Sequence, residues 1–284
     1  MAQLPFPRST YNHKQVAKAL DANNAKAVYI IGRREASLKN AASQCPNGKV
    51  IPLVGDVTSK SSLSSLADRI KAEHGYIDVL FANSGVGGPA SPVSTHGDAK
   101  PSLDEWLKAS WSIDMADFTR TFEVNVTGAY YTCLAFVSLL DEGNKRNTGE
   151  NARRQKSQIV ITSSIAGFNR SFANNPAYPA SKAAVVNLVK TLATHLNRFH
   201  IRVNSIAPGL YPSEMTAGHG AVKEGMQPDV EGALDSSVVP LERMGSEEDM
   251  AAMALWMMGR GGSYLAGSVV LSDGGRLGQL PATY

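Results

Sequence analysis

The chain has 284 residues, of which 43% are hydrophobic and 19% charged, and its formal net charge is +3. This composition is typical of a folded globular protein and excludes an intrinsically disordered chain. Basic and acidic residues are interspersed, so no basic stripe indicates nucleic acid or an anionic membrane surface, and a small molecule is the expected partner.

The two cysteines, Cys45 and Cys133, stand apart from each other and from any histidine cluster. This arrangement predicts buried thiols and no metal site. The N-terminal residues have no basic start followed by an apolar stretch, and no run of about 18 apolar residues occurs in the chain. We therefore expect a cytoplasmic protein with no membrane span.

Short apolar runs alternate with helical patterns along the chain. Alternation of this kind predicts an α/β fold, a Rossmann-like doubly wound parallel sheet flanked by helices, in a single domain that spans residues 1–284. Ligands bind such sheets at the carboxyl ends of the strands. The predicted strands are 28–31, 50–54, 79–82, 159–162, 203–207 and 269–271, and the predicted helices are 14–23, 35–43, 61–74, 117–140, 177–199 and 247–258.

Four segments lack such periodicity. Residues 1–13 form a leader that contains prolines, and residues 85–101 and 141–156 are predicted surface loops. Residues 209–239 combine glycines and prolines with scattered apolar side chains, which is typical of a lid over a substrate pocket and also of a plain surface excursion.

A tyrosine and a lysine four residues apart lie on the predicted helix 177–199. Tyr178 and Lys182 share one helix face at this spacing, and a nearby ammonium favours the phenolate form of tyrosine. The pair alone is weak evidence, because such spacing arises often by chance. Ser164, which follows the predicted strand 159–162, could hydrogen-bond a substrate oxygen while Tyr178 transfers a proton.

Further motifs surround these residues in a fixed order, and together they resemble the short-chain dehydrogenase/reductase family over nearly the whole chain. Ser164 and Tyr178 are one residue further apart than is usual in that family, with Asn174 and Asn175 between them. The motifs, in chain order, are Gly32-Arg33-Arg34, Gly55-Asp56-Val57, Asn83-Ser84-Gly85, Val124-Asn125-Val126, the set Ser164, Tyr178 and Lys182, Asn204 to Gly209, Ser213 to Met215, and Asp273-Gly274-Gly275.

The resemblance implies a role for each member of the catalytic set. Tyr178 would be the acid/base, Lys182 would lower its pKa and hold the nicotinamide ribose, and Ser164 would orient the substrate carbonyl. Asn125 would complete a proton relay through water. The implied reaction interconverts a carbonyl and an alcohol on a small organic substrate with a nicotinamide cofactor.

The resemblance also implies a cofactor site. An arginine after the second strand of the family's fold favours the 2′-phosphate of NADP over NAD, so Arg33 predicts an NADP preference. Asp56 and Val57 would flank the adenine, and Pro208, Gly209 and Ser213 would border the nicotinamide. The complete set of expected cofactor residues is Arg33, Asp56, Val57, Asn83, Gly85, Tyr178, Lys182, Pro208, Gly209 and Ser213.

One family feature is missing. The family opens with a strand and a glycine-rich turn that lets the cofactor pyrophosphate approach a helix N-terminus. Here the leader passes directly into Gln15-Val16-Ala17, which resembles the interior of the first helix. Pro5 and Pro7 make the leader a poor central strand. We therefore expect a gap, a rearranged edge or a partner segment at this place in the sheet.

Two other functions stay open. The chain could be a cofactor-free enzyme that uses Tyr178 for isomerisation, cyclisation or elimination, or a catalytically inactive member of the family. The resemblance implies a homodimer or homotetramer that pairs through the helices 117–140 and 177–199. The leader resembles that of fungal relatives, some of which serve secondary metabolism. Substrate identity does not follow from the sequence.

Overall fold

A computed structural model of the chain describes residues 11–89, 101–147, 155–170, 176–213, 216 and 222–283. Within these residues the predicted strands are confirmed to within one or two residues, and every paired strand runs parallel to its neighbour. The strands are β1 (Val28–Gly32), β2 (Val50–Val54), β3 (Val79–Ala82), β4 (Gln158–Thr162), β5 (Arg202–Pro208) and β6 (Val269–Ser272).

The helices follow the predicted order with three differences. The helices are α1 (Tyr11–Ala22), α2 (Glu35–Ser43), α3 (Lys60–His74), α4 (Leu103–Trp111), α5 (Met115–Phe122), α6 (Ala129–Arg146), α7 (Ala177–Leu196) and α8 (Glu247–Met258). None of them is both long and apolar enough, within the described residues, to cross a membrane.

The first difference is that the predicted helix 117–140 consists of two α-helices. A π-helical turn, Glu123–Gly128, joins α5 to α6. The second is that α6 continues to Arg146, so the predicted loop 141–156 is wrong over residues 141–146. Lys145 stabilises this last turn through ion pairs of 2.7 Å with Asp141 and 2.9 Å with Glu142. Residues 148–154 lie outside the described part.

The third difference is α4, which the hydrophobic pattern did not predict. The side chain of Ser102 accepts a hydrogen bond from the Glu105 backbone, and the Glu105 carboxylate accepts one from the Ser102 backbone. This capping box is the sequence signal for the start of the helix. The predicted loop 85–101 has no regular structure over residues 85–89, and residues 90–100 are outside the described part. The described residues of the predicted lid, 209–239, form turns without a helix or strand.

The core lies on both faces of β4 and β5. All seven residues of β5 are buried, as expected for a strand covered on both faces. Val185 and Val189 of α7 pack with Ile159 on one face, and Met250 of α8 packs with Ile206 on the other. Helices on both faces of a parallel sheet make the architecture Rossmann-like and doubly wound.

The parallel strands fall into two separate sheets. β1 pairs with β2, whereas β3, β4, β5 and β6 pair in that order. A cavity of about 520 Å³ separates β1 from β3 and is lined by residues of both strands. The gap that the missing strand predicts is therefore present in the middle of the fold.

Arg202, at the start of β5, is buried without a carboxylate among its hydrogen-bond partners in the described residues. Its guanidinium donates to the carbonyl oxygens of Gly262 (2.8 Å), Leu265 (3.0 Å) and Lys156 (3.2 Å). Burial lowers its pKa. The side chain thus ties the start of β5 to the segment before β4 and to the turn after α8.

Replacing Arg202 with lysine is expected to lower the free energy of unfolding by about 1–2 kcal/mol, because one ammonium cannot reproduce the planar fork of donors. Urea denaturation monitored by circular dichroism measures the change. Arg260→Lys, at an exposed position near the same turn, is the matched control. Equal stability of the two variants would contradict the bridging role.

Candidate active site

The catalytic candidates lie where the strands of the larger sheet end. Ser164 follows β4 and caps a short 3-10 turn, Ile165–Gly167, by accepting a hydrogen bond of 3.1 Å from the Ala166 backbone. Tyr178 and Lys182 lie on the first two turns of α7. The hydroxyl of Tyr178 is hydrogen-bonded to Ser164, and Lys182 Nζ lies 5.8 Å from the centroid of the Tyr178 ring.

Gly167 makes this arrangement possible. A Cβ atom at this position would lie 2.8 Å from the backbone nitrogen of Ala183 and 2.8 Å from the carbonyl carbon of Lys182. Only a residue without a side chain lets the turn after β4 lie directly against α7. The turn then brings Ser164 within reach of Tyr178. The sequence did not lead us to predict this role of Gly167, although a glycine shortly after the serines at the end of a strand is the signal for it.

Burial dominates the titration of both α7 side chains. Burial raises the pKa of Tyr178, and the hydrogen bond with Ser164 acts in the opposite direction without cancelling it. Burial lowers the pKa of Lys182 to about 8. In this arrangement Tyr178 therefore keeps its proton at neutral pH. The lowering of its pKa by Lys182 stays a prediction.

The Lys182 ammonium uses one of its hydrogen-bond donors within the described residues. Its ammonium donates one hydrogen bond, of 2.9 Å, to the carbonyl oxygen of Thr162. An ammonium has three N–H groups, and no hydrogen bond from the other two is found within the described residues. A buried cation with unused donors can hold the vicinal hydroxyls of a ribose.

Asn125 occupies the π-helical turn and is 1% exposed. Its amide nitrogen donates to the Val86 carbonyl and to Ser181 Oγ, both at 3.0 Å, and its amide oxygen accepts from the Val86 backbone at 2.8 Å. These contacts fasten the segment after β3 to α7. The proton relay stays a prediction, and the observed contacts indicate a positioning role.

The segment after β3 forms one wall of the site. Asn83 accepts a hydrogen bond from the Thr162 hydroxyl. A Cβ atom on Gly85 would lie 3.1 Å from Asn125 Oδ1 and 3.6 Å from Lys182 Nζ. The missing side chain at Gly85 leaves room beside Lys182 that a ligand can use.

The end of β5 forms the opposite wall. The Pro208 carbonyl accepts a hydrogen bond of 3.5 Å from Ser164 Oγ. Gly209 lies close to the residue that follows β6, since a Cβ there would lie 2.6 Å from Asp273 Cβ. Ser213 Oγ accepts a hydrogen bond of 3.2 Å from the Thr216 backbone, so it caps a turn. The neighbouring motif residues 214 and 215 lie outside the described part.

The adenine-side candidates belong to the smaller sheet. Arg33 follows β1 and is exposed, and Asp56 follows β2. Hydrogen bonds from Thr58 are the main cause of the lowered pKa of Asp56, and the charge of Arg33 contributes. Val57 lies against Gly128, where a Cβ would be 3.1 Å from Val57 Cγ2. The cavity between β1 and β3 therefore separates these candidates from Tyr178 and Lys182.

A nicotinamide cofactor fits this site in part. The spare donors of Lys182 and the room beside Gly85 suit the nicotinamide ribose, and the exposed Arg33 suits a phosphate on the adenosine. The described residues contain no glycine-rich turn between a strand and a helix N-terminus that could hold the pyrophosphate. The fit is therefore good at the two ends of the cofactor and incomplete at its centre.

Comparison with known proteins decides the family. The model of the short chain dehydrogenase family matches residues 14–223. The chain belongs to this family. The short-chain dehydrogenase/reductase PhomF of Diaporthe leptostromiformis is 44% identical over 270 residues, which cover 95% of this chain and 88% of that protein. The 7alpha-hydroxysteroid dehydrogenase of Escherichia coli K12 is 30% identical over 225 residues, covering 79% and 73%.

Solved structures show the same fold for this short-chain dehydrogenase. A short-chain dehydrogenase/reductase from Mycobacterium ulcerans has a TM-score of 0.75 at 25% identity and covers 95% of this chain and 87% of its own. The RhlG/NADP complex of Pseudomonas aeruginosa has a TM-score of 0.73 at 24% identity, with coverage of 94% and 92%. The predicted Rossmann-like fold and family membership are confirmed, and the chain is an oxidoreductase of this family.

Proposed function

We propose that this chain is an NAD(P)-dependent oxidoreductase that interconverts a carbonyl and an alcohol on a small organic substrate. The observation that carries the proposal is the hydrogen bond between Ser164 and Tyr178 beside the buried ammonium of Lys182. Two separate segments of the fold, the turn after β4 and the start of α7, converge to form this group. Each member has a chemical task in carbonyl reduction.

The task of Ser164 and Tyr178 is to bind the substrate oxygen. Both hydroxyls can donate a hydrogen bond to a carbonyl oxygen, which stabilises the alkoxide as it develops. When bound, the nicotinamide supplies or accepts the hydride. Tyr178 donates its phenolic proton to the alkoxide in reduction and takes a proton from the alcohol in oxidation. The raised pKa of Tyr178 keeps that proton available near neutrality.

The task of Lys182 is electrostatic. A protonated Lys182 stabilises the phenolate that Tyr178 becomes after it gives up its proton. Its other two N–H groups make no hydrogen bond within the described residues. They would bind ribose hydroxyls and hold the nicotinamide end of the cofactor beside Tyr178. Asn125 positions the segment after β3, and with it Gly85, around the same cation.

We propose NADP as the preferred cofactor because Arg33 is an exposed cation at the carboxyl end of β1. A guanidinium binds a phosphate with two parallel hydrogen bonds, whereas a ribose hydroxyl offers no charge to recognise. The similar structures bound to NADP and to NAD+ share only the fold with this chain at 24% identity. The preference therefore depends on Arg33.

Titration of the purified protein with NADPH and NADH tests cofactor binding. Arg33→Ala is expected to weaken NADPH binding about tenfold and to leave NADH binding within about twofold, since only the 2′-phosphate loses a partner. Calorimetry measures both affinities, and Arg260→Ala, a distant exposed arginine, is the control. Equal losses for both nucleotides would contradict a phosphate-specific role of Arg33.

A second candidate is a cofactor-free proton-transfer enzyme. Two observations favour it. The acid/base residues Ser164, Tyr178 and Lys182 are assembled, whereas the described residues contain no glycine-rich turn that could hold the cofactor pyrophosphate. Failure of a cooperatively folded protein to bind either nucleotide would exclude the oxidoreductase. Turnover of a ketone–enol or dehydration substrate without nucleotide would then support this candidate, and the absence of any turnover would indicate an inactive family member.

The remaining expectations join the proposal. We propose that residues 1–284 form a single domain, that residues 209–239 cover the substrate pocket, and that the protein acts in the cytoplasm. Members of this family generally oligomerise, so we also propose a homodimer or homotetramer, paired through residues 117–140 and 177–199. We further propose a role in secondary metabolism, because the leader resembles that of fungal relatives. Light scattering measures the oligomeric state.

A further inference from the structure

The segment after β6 contacts both the predicted lid and the turn that begins at Ser164. This segment is residues 273–283, and we call it the strap. The turn is residues 164–170, and we call it the serine turn. The strap begins with the motif Asp273-Gly274-Gly275, which the proposed reaction does not use. The Asp273 carboxylate accepts hydrogen bonds of 3.0 Å and 2.7 Å from two backbone N–H groups of the strap. These bonds fix the start of the strap at the carboxyl end of β6.

The first half of the strap holds the predicted lid. Gly274 has a φ angle of 62°, which L side chains rarely adopt. A Cβ atom there would lie 2.7 Å from Val239 Cγ1. The glycine therefore lets the strap turn tightly against the end of the lid. The Arg276 guanidinium, two residues further on, donates a hydrogen bond to the Val238 carbonyl.

The second half of the strap pairs with the serine turn. Ala282 and Asn169 form an isolated antiparallel β-bridge. The bridge has two backbone hydrogen bonds, from the Thr283 N–H to the Phe168 carbonyl at 2.9 Å and from the Arg170 N–H to the Pro281 carbonyl at 2.8 Å. Because both bonds join main-chain atoms, they fix the path of the backbone in both segments.

Apolar side chains beneath the bridge hold the serine turn on the larger sheet. Ile165 and Phe168 are buried in one cluster with Leu277 of the strap and Ala207 of β5, and Ala282 packs against that cluster. The same turn lies directly against α7. Two elements therefore hold the serine turn, the strap and the helix that carries the catalytic tyrosine.

The serine turn needs a fixed position because, in the proposed reaction, Ser164 and Tyr178 bind one substrate oxygen between them. The segment that joins them is one residue longer than is usual in the family and contains Asn174 and Asn175. A displacement of about 1 Å in a group that orients the substrate can cost about 10²-fold in rate. A longer segment has more freedom to move, so an external contact that fixes it has a larger effect.

We propose that the strap is a positioning element, and that its bridge to the serine turn holds Ser164 at the place where it shares a substrate oxygen with Tyr178. The proposal rests on the proposed function. It predicts an effect on the carbonyl substrate and none on the nucleotide. Residues 281–283 make no hydrogen bond to a member of the expected cofactor set in the part of the chain that the structure describes.

Hydrogen exchange on the full chain tests the contact without any turnover. Thr283→Pro removes both donors to the Phe168 carbonyl, the backbone N–H and the hydroxyl. Thr283→Val is the matched variant that keeps the N–H. Amides 166–170 are expected to exchange about tenfold faster in Thr283→Pro than in Thr283→Val or the original chain, with β1 and β2 unchanged. Equal exchange at 166–170 in all three proteins would overturn the proposal.

Kinetics test whether the contact acts through Ser164. The probes are cyclohexanone, acetophenone and 9,10-phenanthrenequinone, each reduced with NADPH. Thr283→Pro is expected to lower kcat/KM about tenfold, and the same substitution made in Ser164→Ala is expected to have no further effect, because residues that act as one unit are not additive. Thr283→Val should recover most of the rate. A tenfold loss that persists in Ser164→Ala, or a loss of NADPH affinity, would overturn the proposal.

A second variant guards against a folding defect. Thr283 is exposed, so Thr283→Pro is expected to unfold as cooperatively as the original chain. If it does not, Ala282→Asp, which places a carboxylate against the apolar cluster under the bridge, takes its place in both experiments and is judged by the same criteria.

The two experiments separate this proposal from the proposed function. A chain that reduces none of the probes, but whose amides 166–170 exchange faster in Thr283→Pro, would contradict the proposed function and support the strap. A chain that reduces the probes, and whose rate and exchange are unchanged in Thr283→Pro, would overturn the strap and leave the proposed function standing.

Discussion

Tyr178→Phe is expected to lower kcat/KM for carbonyl reduction by about 10³-fold, within the range that general acid catalysis contributes. The substitution removes the only hydroxyl that both contacts Ser164 and can deliver a proton beside Lys182 in the described site. The ring and its packing remain, so cooperative unfolding should be preserved. The rate of NADPH oxidation with a panel of ketones and aldehydes measures the effect.

The control for this experiment is Tyr264→Phe, which removes a phenolic hydroxyl from a side chain that is 99% exposed. Its kcat/KM is expected to equal that of the original protein. A loss of less than tenfold in Tyr178→Phe would contradict the acid/base assignment. Loss of nucleotide binding together with activity would instead indicate that the hydroxyl serves mainly to hold the cofactor.

Much of the fold follows from hydrophobic patterning. The runs that became β4 and β5 are continuous stretches of apolar and β-branched residues, because both faces of these strands are covered by helices. The last turn of α6 is polar on most sides and depends on the burial of Gly143 and Asn144 against other segments. Such tertiary contacts leave no periodic signal, so the sequence predicted a loop there.

The site was predicted to a similar extent. The order of motifs identified Ser164, Tyr178 and Lys182, which the fold brings together. The contacts of Asn125 with Val86 and Ser181 and the close approach at Gly167 depend on how distant segments pack. The missing first strand was visible in the sequence. Its consequence, two separate sheets with a cavity between them, required the structure.

Lys182→Met is expected to make the protein more stable at pH 7 while it impairs catalysis. Burial lowers the pKa of Lys182 from its ordinary value of 10.5 to about 8. This difference means that burying the protonated amine costs roughly 3 kcal/mol, of which the lost hydrogen bond to Thr162 would offset about 1 kcal/mol. Urea denaturation at pH 7 should therefore show a gain of about 2 kcal/mol.

The pH dependence of the free energy of unfolding distinguishes the cost of burying the protonated Lys182 from an improvement in packing by methionine. Below about pH 8 both the folded and the unfolded chain bind the proton of Lys182, so the penalty is fully present. Between about 8 and 10.5 only the unfolded chain binds it, and the contribution of Lys182 to stability rises with pH. The difference between the original protein and Lys182→Met should shrink across this window, whereas Lys71→Met, at an exposed position, should track the original protein.

Two results would contradict a buried protonated amine. One is a Lys182→Met variant that is less stable than the original protein at pH 7, and the other is a difference in free energy of unfolding between the two proteins that does not change with pH. The expected result has a functional meaning. Within the described residues, two N–H groups of this ammonium make no hydrogen bond. A buried ammonium of this kind destabilises the fold, and a ligand that binds those N–H groups would recover part of the lost free energy. Stabilisation by nicotinamide nucleotides should accordingly be smaller in Lys182→Met than in the original protein, as thermal unfolding with and without NADPH would show.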